Sequence, residues 1–205
     1  MKRIICLLLV ALLMLAAPLT ACANDVTATA FKMMFLGEMQ YYGSGATWTE
    51  KQEYGKITET AYLNGNQYQM TVWYKGARES GTGVEKATAL QLTGPFSELK
   101  PDYDYETGCY SFRPGLNFLT AFFYAVFDLG IMPDNDDGGC FYEAGLLSTY
   151  GTYNYMTTSD DVYYDHSTWK SVYHTKGYLE ALHYNGVRVI ISASGSTFTA
   201  YIQLP

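Results

Sequence analysis

The chain has 205 residues, of which 48% are hydrophobic and 16% aromatic, including 20 tyrosines. Its 20 acidic residues outnumber the 13 basic ones, and the net charge of −7 argues against binding to nucleic acid or to anionic lipid headgroups. A chain of this length with no proline-rich or Gly/Ser-rich linker is expected to form a single domain.

The N-terminal segment has the pattern of an export signal. Lys2 and Arg3 precede an apolar run over residues 4–17, which is too short and wrongly flanked for a membrane span that stays in the mature chain. Residues 19–22, Leu-Thr-Ala-Cys, resemble the lipobox of bacterial lipoproteins. The resemblance covers only this segment, and it implies a lipoprotein signal peptide at 1–22 followed by a single extracytoplasmic domain at 23–205.

The same resemblance implies that the sulfur of Cys22 takes a diacylglycerol. Two or three acyl chains would then anchor the domain to the cell membrane or outer membrane of a bacterium, since one chain alone binds a bilayer only marginally. The alternative is an ordinary signal-peptidase site, Ala21-Cys22-Ala23, where cleavage after Ala23 would release a secreted protein.

The first segment of the mature chain, residues 26–42, is ambiguous. The sequence Val-Thr-Ala-Thr-Ala at 26–30 suits a strand. The apolar residues that follow have helical spacing: Phe31, Met34, Phe35 and Met39.

Two regions predict antiparallel strands. Asn64-Gly65 separates two alternating runs over residues 56–74, which is a strong hairpin signal. Near the C-terminus, turns at Asn185-Gly186 and near Gly195 predict a three-stranded meander. One face of each element is expected to be buried: Ile57, Ala61, Leu63, Tyr68, Met70 and Val72 in the first, and Val187, Val189, Ile191, Phe198, Ala200, Ile202 and Leu204 in the second.

One helix is predicted between these strands, from about Leu116 to Leu129. Pro114 precedes it and Gly130 follows as a stop signal. Its surface is bulky and apolar, as in a core helix laid against a sheet, except for one narrow stripe: Asn117, Thr120, Ala121, Tyr124 and Asp128. The fold class is therefore α+β, an antiparallel, partly meander sheet packed on one long core helix at about 116–129.

Acidic residues are concentrated in the middle of the chain. Between Glu98 and Asp165 there are 12 acidic residues and two basic ones, Lys100 and Arg113. Within this segment four carboxylates could gather oxygen ligands around Ca²⁺, although their spacing does not match a calcium-binding loop: Asp134, Asp136, Asp137 and Glu143. The alternative is a solvated acidic turn.

Cys109 and Cys140 are the two cysteines of the mature chain other than Cys22. In an exported protein such a pair favours a disulfide, which would join the two flanks of the predicted helix. Closing a loop of this size contributes about 3–4 kcal/mol in the chain-entropy model.

The segment around Cys109 allows a second interpretation. Residues 107–133 resemble the cysteine, helix and Gly-Ile segment of transglutaminase-like proteins. The resemblance implies a cysteine hydrolase with Cys109 as nucleophile and either His166 with Asp165, or His174, as the base. Here Arg113, Pro114 and Gly115 separate the cysteine from the predicted helix.

The tyrosine-rich stretch 150–169 has no core periodicity and is the expected ligand-binding surface. Aromatic rings stack on sugar faces and on apolar parts of ligands, while nearby carboxylates accept hydrogen bonds from hydroxyl groups. The residues expected to bind are Tyr153, Tyr155, Tyr163, Tyr164 and Trp169. The spacing of His166, His174 and His183 matches no zinc motif, and His183 is expected at a sheet surface opposite Arg188.

These patterns predict a membrane-anchored extracytoplasmic lipoprotein that acts as a non-catalytic binding or interaction domain. Its expected partners are the lipid bilayer, through the acylated N-terminus, and a glycan, an amphipathic ligand or an envelope protein, but no nucleic acid. No cofactor is expected other than Ca²⁺. The alternatives are a transglutaminase-like cysteine hydrolase and a structural component of an envelope complex.

Overall fold

Two helices and ten strands make up the described part of the chain. The computed structural model describes residues 26–41, 45–76, 85–111, 113–132, 153, 156–157 and 168–205. Helix α1 spans Ala28–Tyr41, helix α2 spans Pro114–Asp128, and a short 3-10 helix covers Phe96–Leu99. Neither α1 nor α2 combines the length and apolar character needed to cross a membrane. The strands are β1 Trp48–Glu53, β2 Lys56–Leu63, β3 Asn66–Lys75, β4 Lys86–Pro95, β5 Asp102–Asp104, β6 Cys109–Ser111, β7 Trp169–Thr175, β8 Tyr178–His183, β9 Arg188–Ser194 and β10 Thr197–Gln203.

Eight of these strands form one antiparallel sheet in the order β1-β2-β3-β4-β10-β9-β8-β7. The sheet consists of two four-stranded meanders, β1–β4 and β7–β10, which meet where β4 pairs with β10. Strands β5 and β6 form a separate hairpin before α2. The antiparallel sheet with helices confirms the α+β class and the C-terminal meander.

The turn between β2 and β3 has the geometry that its sequence predicts. Asn64 has φ of 53° and Gly65 has φ of 79°, so both central residues are in the left-handed region. Asparagine and glycine tolerate this conformation, and a two-residue turn of this kind matches the twist of paired strands. The predicted hairpin is confirmed.

The inner face of the sheet is apolar and carries most of the core. Because successive side chains point to opposite faces, every second residue of the central strands is buried. The inner face includes Tyr68, Met70 and Val72 of β3, Leu90 and Leu92 of β4, and Phe198, Ala200 and Ile202 of β10. All seven residues predicted to be buried between Val187 and Leu204 are buried.

Helix α1 resolves the ambiguous N-terminal segment. Thr27 caps the helix, since its Oγ1 accepts a hydrogen bond from the backbone N–H of Ala30 at 3.0 Å. Phe31, Phe35 and Met39 recur at intervals of four residues and are buried. The cap and this apolar stripe together favour a helix over a strand.

The sequence predicts one long core helix, whereas the described part of the chain contains two helices, of 14 and 15 residues. The additional helix is α1, which comes from the segment that the sequence leaves ambiguous between helix and strand. Helix α2 corresponds to the predicted helix and begins two residues earlier. Ten of its residues are buried, since it packs on α1 and on β4. Ala121, which the sequence assigns to the narrow stripe of polar or small residues, is fully buried.

The start of α2 lies directly against the 3-10 helix. A Cβ atom added to Gly115 would stand 2.6 Å from the Cβ of Glu98 and 2.9 Å from its carbonyl oxygen. Real Cβ atoms essentially never approach other atoms this closely. The close contact of these two elements therefore depends on glycine at position 115.

Candidate functional site

A polar cleft of about 430 Å³ lies at one end of the outer face of the sheet. It forms where the β2–β3 turn, the β9–β10 turn and the end of β4 come together. The lining residues are small or carry amide and hydroxyl groups: Asn66, Gln67, Gln69, Thr93, Gly94, Pro95, Ser97, Ser196 and Thr197.

Strand register brings these residues together from distant parts of the sequence. Gln69 on β3 lies opposite Thr93 on β4, and Thr93 lies opposite Thr199 on β10. The side-chain amide of Gln69 donates a long hydrogen bond of 3.5 Å to Oγ1 of Thr60. Because these positions alternate with the buried ones, they form a polar row across the outer face.

Aromatic rings border this polar row. Tyr62 lies opposite Gln67 in the register of β2 and β3, and 68% of its surface is exposed. Farther along the outer face the rings of Trp73 and Tyr201 meet edge to face at 6.1 Å. An exposed tyrosine offers both an apolar ring face and a hydrogen-bonding hydroxyl.

The β5–β6 hairpin carries the exposed tyrosines of the described acidic segment. The rings of Tyr103 and Tyr105 meet edge to face at 4.9 Å, and Tyr105 is 89% exposed. Asp104 closes the turn, since its carboxylate accepts hydrogen bonds from the backbone N–H of Glu106 and the hydroxyl of Thr107, both at 2.8 Å. These hydrogen bonds hold the pKa of Asp104 below its usual value.

Arg113 joins the hairpin to the edge of the cleft. Its guanidinium donates two hydrogen bonds of 2.9 Å to the carboxylate of Asp102, and this pairing lowers the pKa of that carboxyl. The same guanidinium donates to the carbonyl oxygen of Ser97 at 3.4 Å. Because Ser97 lines the cleft, the hairpin and the cleft are neighbouring surfaces.

Most residues of the sequence-predicted sites lie outside the described residues. Among the residues that the structure describes, no group of three or more His, Cys, Asp or Glu side chains could hold a metal ion. The predicted calcium loop lies elsewhere in the chain, so it stays a prediction. The predicted site residues that lie outside the described ranges are Cys22, Asp134, Asp136, Asp137, Cys140, Glu143, Tyr155, Tyr163, Tyr164, Asp165 and His166.

Two described residues of the predicted binding stretch pack against other rings. Tyr153 is half-buried and stacks on Phe96, with ring centroids 5.7 Å apart. Trp169 differs from the sequence-based expectation, because it is only 2% exposed and meets His183 edge to face at 5.7 Å. Its indole ring therefore contributes to the core and is not displayed at the surface.

His183 is also placed differently from the expectation. Leu182, not His183, lies opposite Arg188, and the imidazole is buried on the inner side. Its Nδ1 accepts a hydrogen bond from the backbone N–H of Asn185 at 3.1 Å, and burial lowers its pKa. This geometry is that of a structural histidine at a strand end.

Cys109 lies on strand β6 and is exposed. Its Sγ is 3.5 Å from the carbonyl oxygen of Thr107. Helix α2 begins at Pro114, so the cysteine is not at the helix N-terminus, which is where the transglutaminase-like interpretation needs it. The disulfide with Cys140 stays a prediction, since Cys140 is outside the described residues.

A second polar cluster lies on the inner side of the sheet, under α1. Glu59 is only 3% exposed and is opposite Glu50 in the register of β1 and β2. Lys32 of α1 forms an ion pair with Glu50. Burial, and next the neighbouring Glu50 carboxylate, raise the pKa of Glu59, while Lys32 partly opposes the shift.

This cluster predicts a pH-dependent contribution to stability. Because the folded state holds a proton on Glu59 more tightly than the unfolded state, the unfolding free energy should fall as pH rises above about 4.5. Glu59→Gln should therefore gain stability relative to the unmodified protein between about pH 4.5 and 7. Urea unfolding of both proteins across this range measures the difference.

Glu50→Gln is the companion variant for this measurement. It should remove part of the same pH dependence, because the Glu50 charge is the second cause of the raised pKa of Glu59. A stability difference between Glu59→Gln and the unmodified protein that stays constant with pH would contradict the prediction.

Comparison with protein-family models, with curated proteins and with solved structures finds no significant match for this chain. Any function assigned to the domain must therefore come from its own residues and geometry.

Sequence patterns contain a partial signal for the cleft. The predicted β2–β3 hairpin places Gln67 and Gln69 on the polar face. No sequence signal, however, brings Thr93 and Thr197 beside them, since this requires the pairing of β4 with β10.

Proposed function

We propose that this protein is a bacterial lipoprotein that binds a ligand or partner outside the cytoplasm without catalysis. The lipobox at 19–22 and the preceding apolar run support removal of the signal segment and acylation of Cys22. The domain at 23–205 then stays at the bilayer surface. The predicted Ca²⁺ loop and the tyrosines of the stretch 150–169 belong to the same proposal.

The observation that carries the binding role is the tyrosine pair on the β5–β6 hairpin. Tyr103 and Tyr105 are exposed, and their backbone is held by the pairing of Asp102 with Arg113 and by the Asp104 turn. Exposed tyrosines on a fixed backbone lose little conformational entropy on binding. Such residues are typical of contact surfaces between macromolecules and their ligands.

Tyrosine nitration of the full-length protein in native membranes tests this surface. Tetranitromethane should modify Tyr103 and Tyr105 less in membranes than in the purified domain, because a bound ligand or partner covers them. Tyr54, which is 96% exposed on the β1–β2 turn, is the control and should react equally in both samples. Equal modification of all three tyrosines would contradict a binding role for the hairpin.

The proposed lipid anchor at Cys22 is tested by a separate experiment. Cys22→Ser should abolish diacylglycerol transfer and leave the protein without the acyl chains that supply the bilayer affinity of the mature chain. Mass spectrometry of the N-terminal peptide of the unmodified protein checks the chemistry. An unacylated N-terminus at Asn24 would show cleavage after Ala23 and would contradict the lipoprotein assignment.

A further inference from the structure

The cleft on the outer face has the dimensions of a small-molecule site. Its volume of about 430 Å³ falls within the range of about 300–1,000 Å³ that is usual for ligand pockets. Backbone as well as side chains contribute to its wall, because Gly94 and Pro95 lie where β4 ends. The 3-10 helix closes one side through Ser97.

The lining chemistry selects the class of ligand. None of the lining side chains is ionisable, and the polar ones are amides and hydroxyls, which donate and accept hydrogen bonds equally well. The lining side chains therefore offer no charge to an anion or a cation, and Arg113, which reaches the Ser97 carbonyl at the cleft edge, is already paired with Asp102. An apolar ligand would displace water from the lining amides and hydroxyls without replacing the hydrogen bonds, which costs free energy.

The charged groups around the cleft limit the class of ligand further. The neighbouring hairpin carries Asp102, Asp104 and Glu106, opposed by Lys100 and Arg113, and the chain as a whole has a net charge of −7. This field disfavours anionic ligands such as phosphorylated compounds or acidic sugars. A neutral molecule with many hydroxyl groups matches both the lining and the field.

The exposed ring of Tyr62 provides the apolar surface that a binding site for a hydroxyl-rich molecule also needs. It stands on the same face as Gln67, beside the cleft, and its ring has an apolar surface that can cover the C–H face of a sugar. We infer that the cleft and Tyr62 together bind a segment of a neutral oligosaccharide. This inference goes beyond the proposed function, because it assigns a second binding surface, next to the hairpin, and a ligand class for that surface.

The test uses the purified protein and a panel of neutral oligosaccharides: cellohexaose, maltohexaose, mannohexaose and hexa-N-acetylchitohexaose. Chemical shifts in the ¹H–¹⁵N NMR spectrum map the site without any substitution. Binding of at least one of these sugars should shift the resonances of Gln67, Gln69 and Thr197. An oligogalacturonate of similar length, which carries carboxylates, should leave them unchanged.

Variants then test the named side chains. Thr93→Val and Tyr62→Ala should each weaken the affinity by about tenfold, because each removes one good contact. Tyr173→Ala, at an exposed position on the distant β7 strand, is the control and should bind as the unmodified domain does. Unchanged melting temperatures show that a loss of affinity does not come from unfolding.

Three outcomes would overturn the inference: no shift at the cleft with any neutral sugar, shifts confined to the β5–β6 hairpin, or stronger binding of the oligogalacturonate. None of them removes the proposed function, whose own readout is the protection of Tyr103 and Tyr105 in native membranes. Conversely, sugar binding at the cleft without protection of Tyr103 and Tyr105 would support the sugar site. It would contradict the proposed binding role of the hairpin.

Discussion

Phe122→Ala should lower the free energy of unfolding by about 3–5 kcal/mol. The ring is fully buried and lies between the two helices, with centroid distances of 5.5 Å to Phe31 and 6.4 Å to Phe35. Alanine would remove these contacts and leave a cavity that two packed helices cannot easily close. Urea unfolding followed by circular dichroism measures the loss.

The control for this prediction lies on the same helix. Asn117 is only half-buried, and Asn117→Ala should change the unfolding free energy by no more than about 0.5 kcal/mol. Because a domain of this size is stable by only about 5–15 kcal/mol, the Phe122 variant should lose a large fraction of the total. A loss below about 1 kcal/mol would contradict the packing of α1 on α2.

Gly115→Ala should destabilise the domain by about 1–3 kcal/mol, although alanine is a better helix former than glycine. The added Cβ would stand 2.9 Å from the carbonyl oxygen of Glu98, which is backbone and cannot rotate away. The helix and the 3-10 segment must therefore separate. Thermal unfolding in matched buffers measures the effect.

Gly37 provides the matched control, because it also lies within a helix. A Cβ added to Gly37 would meet no atom within 4 Å, and the position is exposed. Gly37→Ala should therefore stabilise the domain by about 0.5–1 kcal/mol through helix propensity alone. The same effect from both substitutions would show that the contact with Glu98 is not tight.

Local patterns predicted the local elements of the fold. The pair Asn64-Gly65 specifies the turn in which it lies. The alternation of apolar and polar residues from Val187 to Leu204 specifies which face is buried. Both features could therefore be predicted from a few neighbouring residues. Helix α1 was harder to predict from the sequence, because residues 26–30 resemble a strand. The helix is favoured by the cap at Thr27 and by the contacts of Phe31 with α2. Those contacts belong to the tertiary structure.

Two features of the candidate sites could not be predicted from the sequence, because they also depend on tertiary contacts: the burial of Trp169 and the position of the cleft. Trp169 follows a tyrosine-rich stretch with no core periodicity, yet it packs in the core beside His183. The cleft depends on Gln69, Thr93 and Thr197, which come from three strands, and no local pattern specifies how distant strands pair.

The meeting of the two meanders has a consequence for how the chain folds. Strand β4 ends at residue 95 and β10 begins at residue 197, so a loop of roughly a hundred residues must close before they pair. Contacts so distant in sequence form slowly. Until they form, the edge of β4 has unpaired N–H and C=O groups that another chain could bind. The polar cleft lies across this same junction, and the ability to bind there is acquired only when the whole sheet is complete.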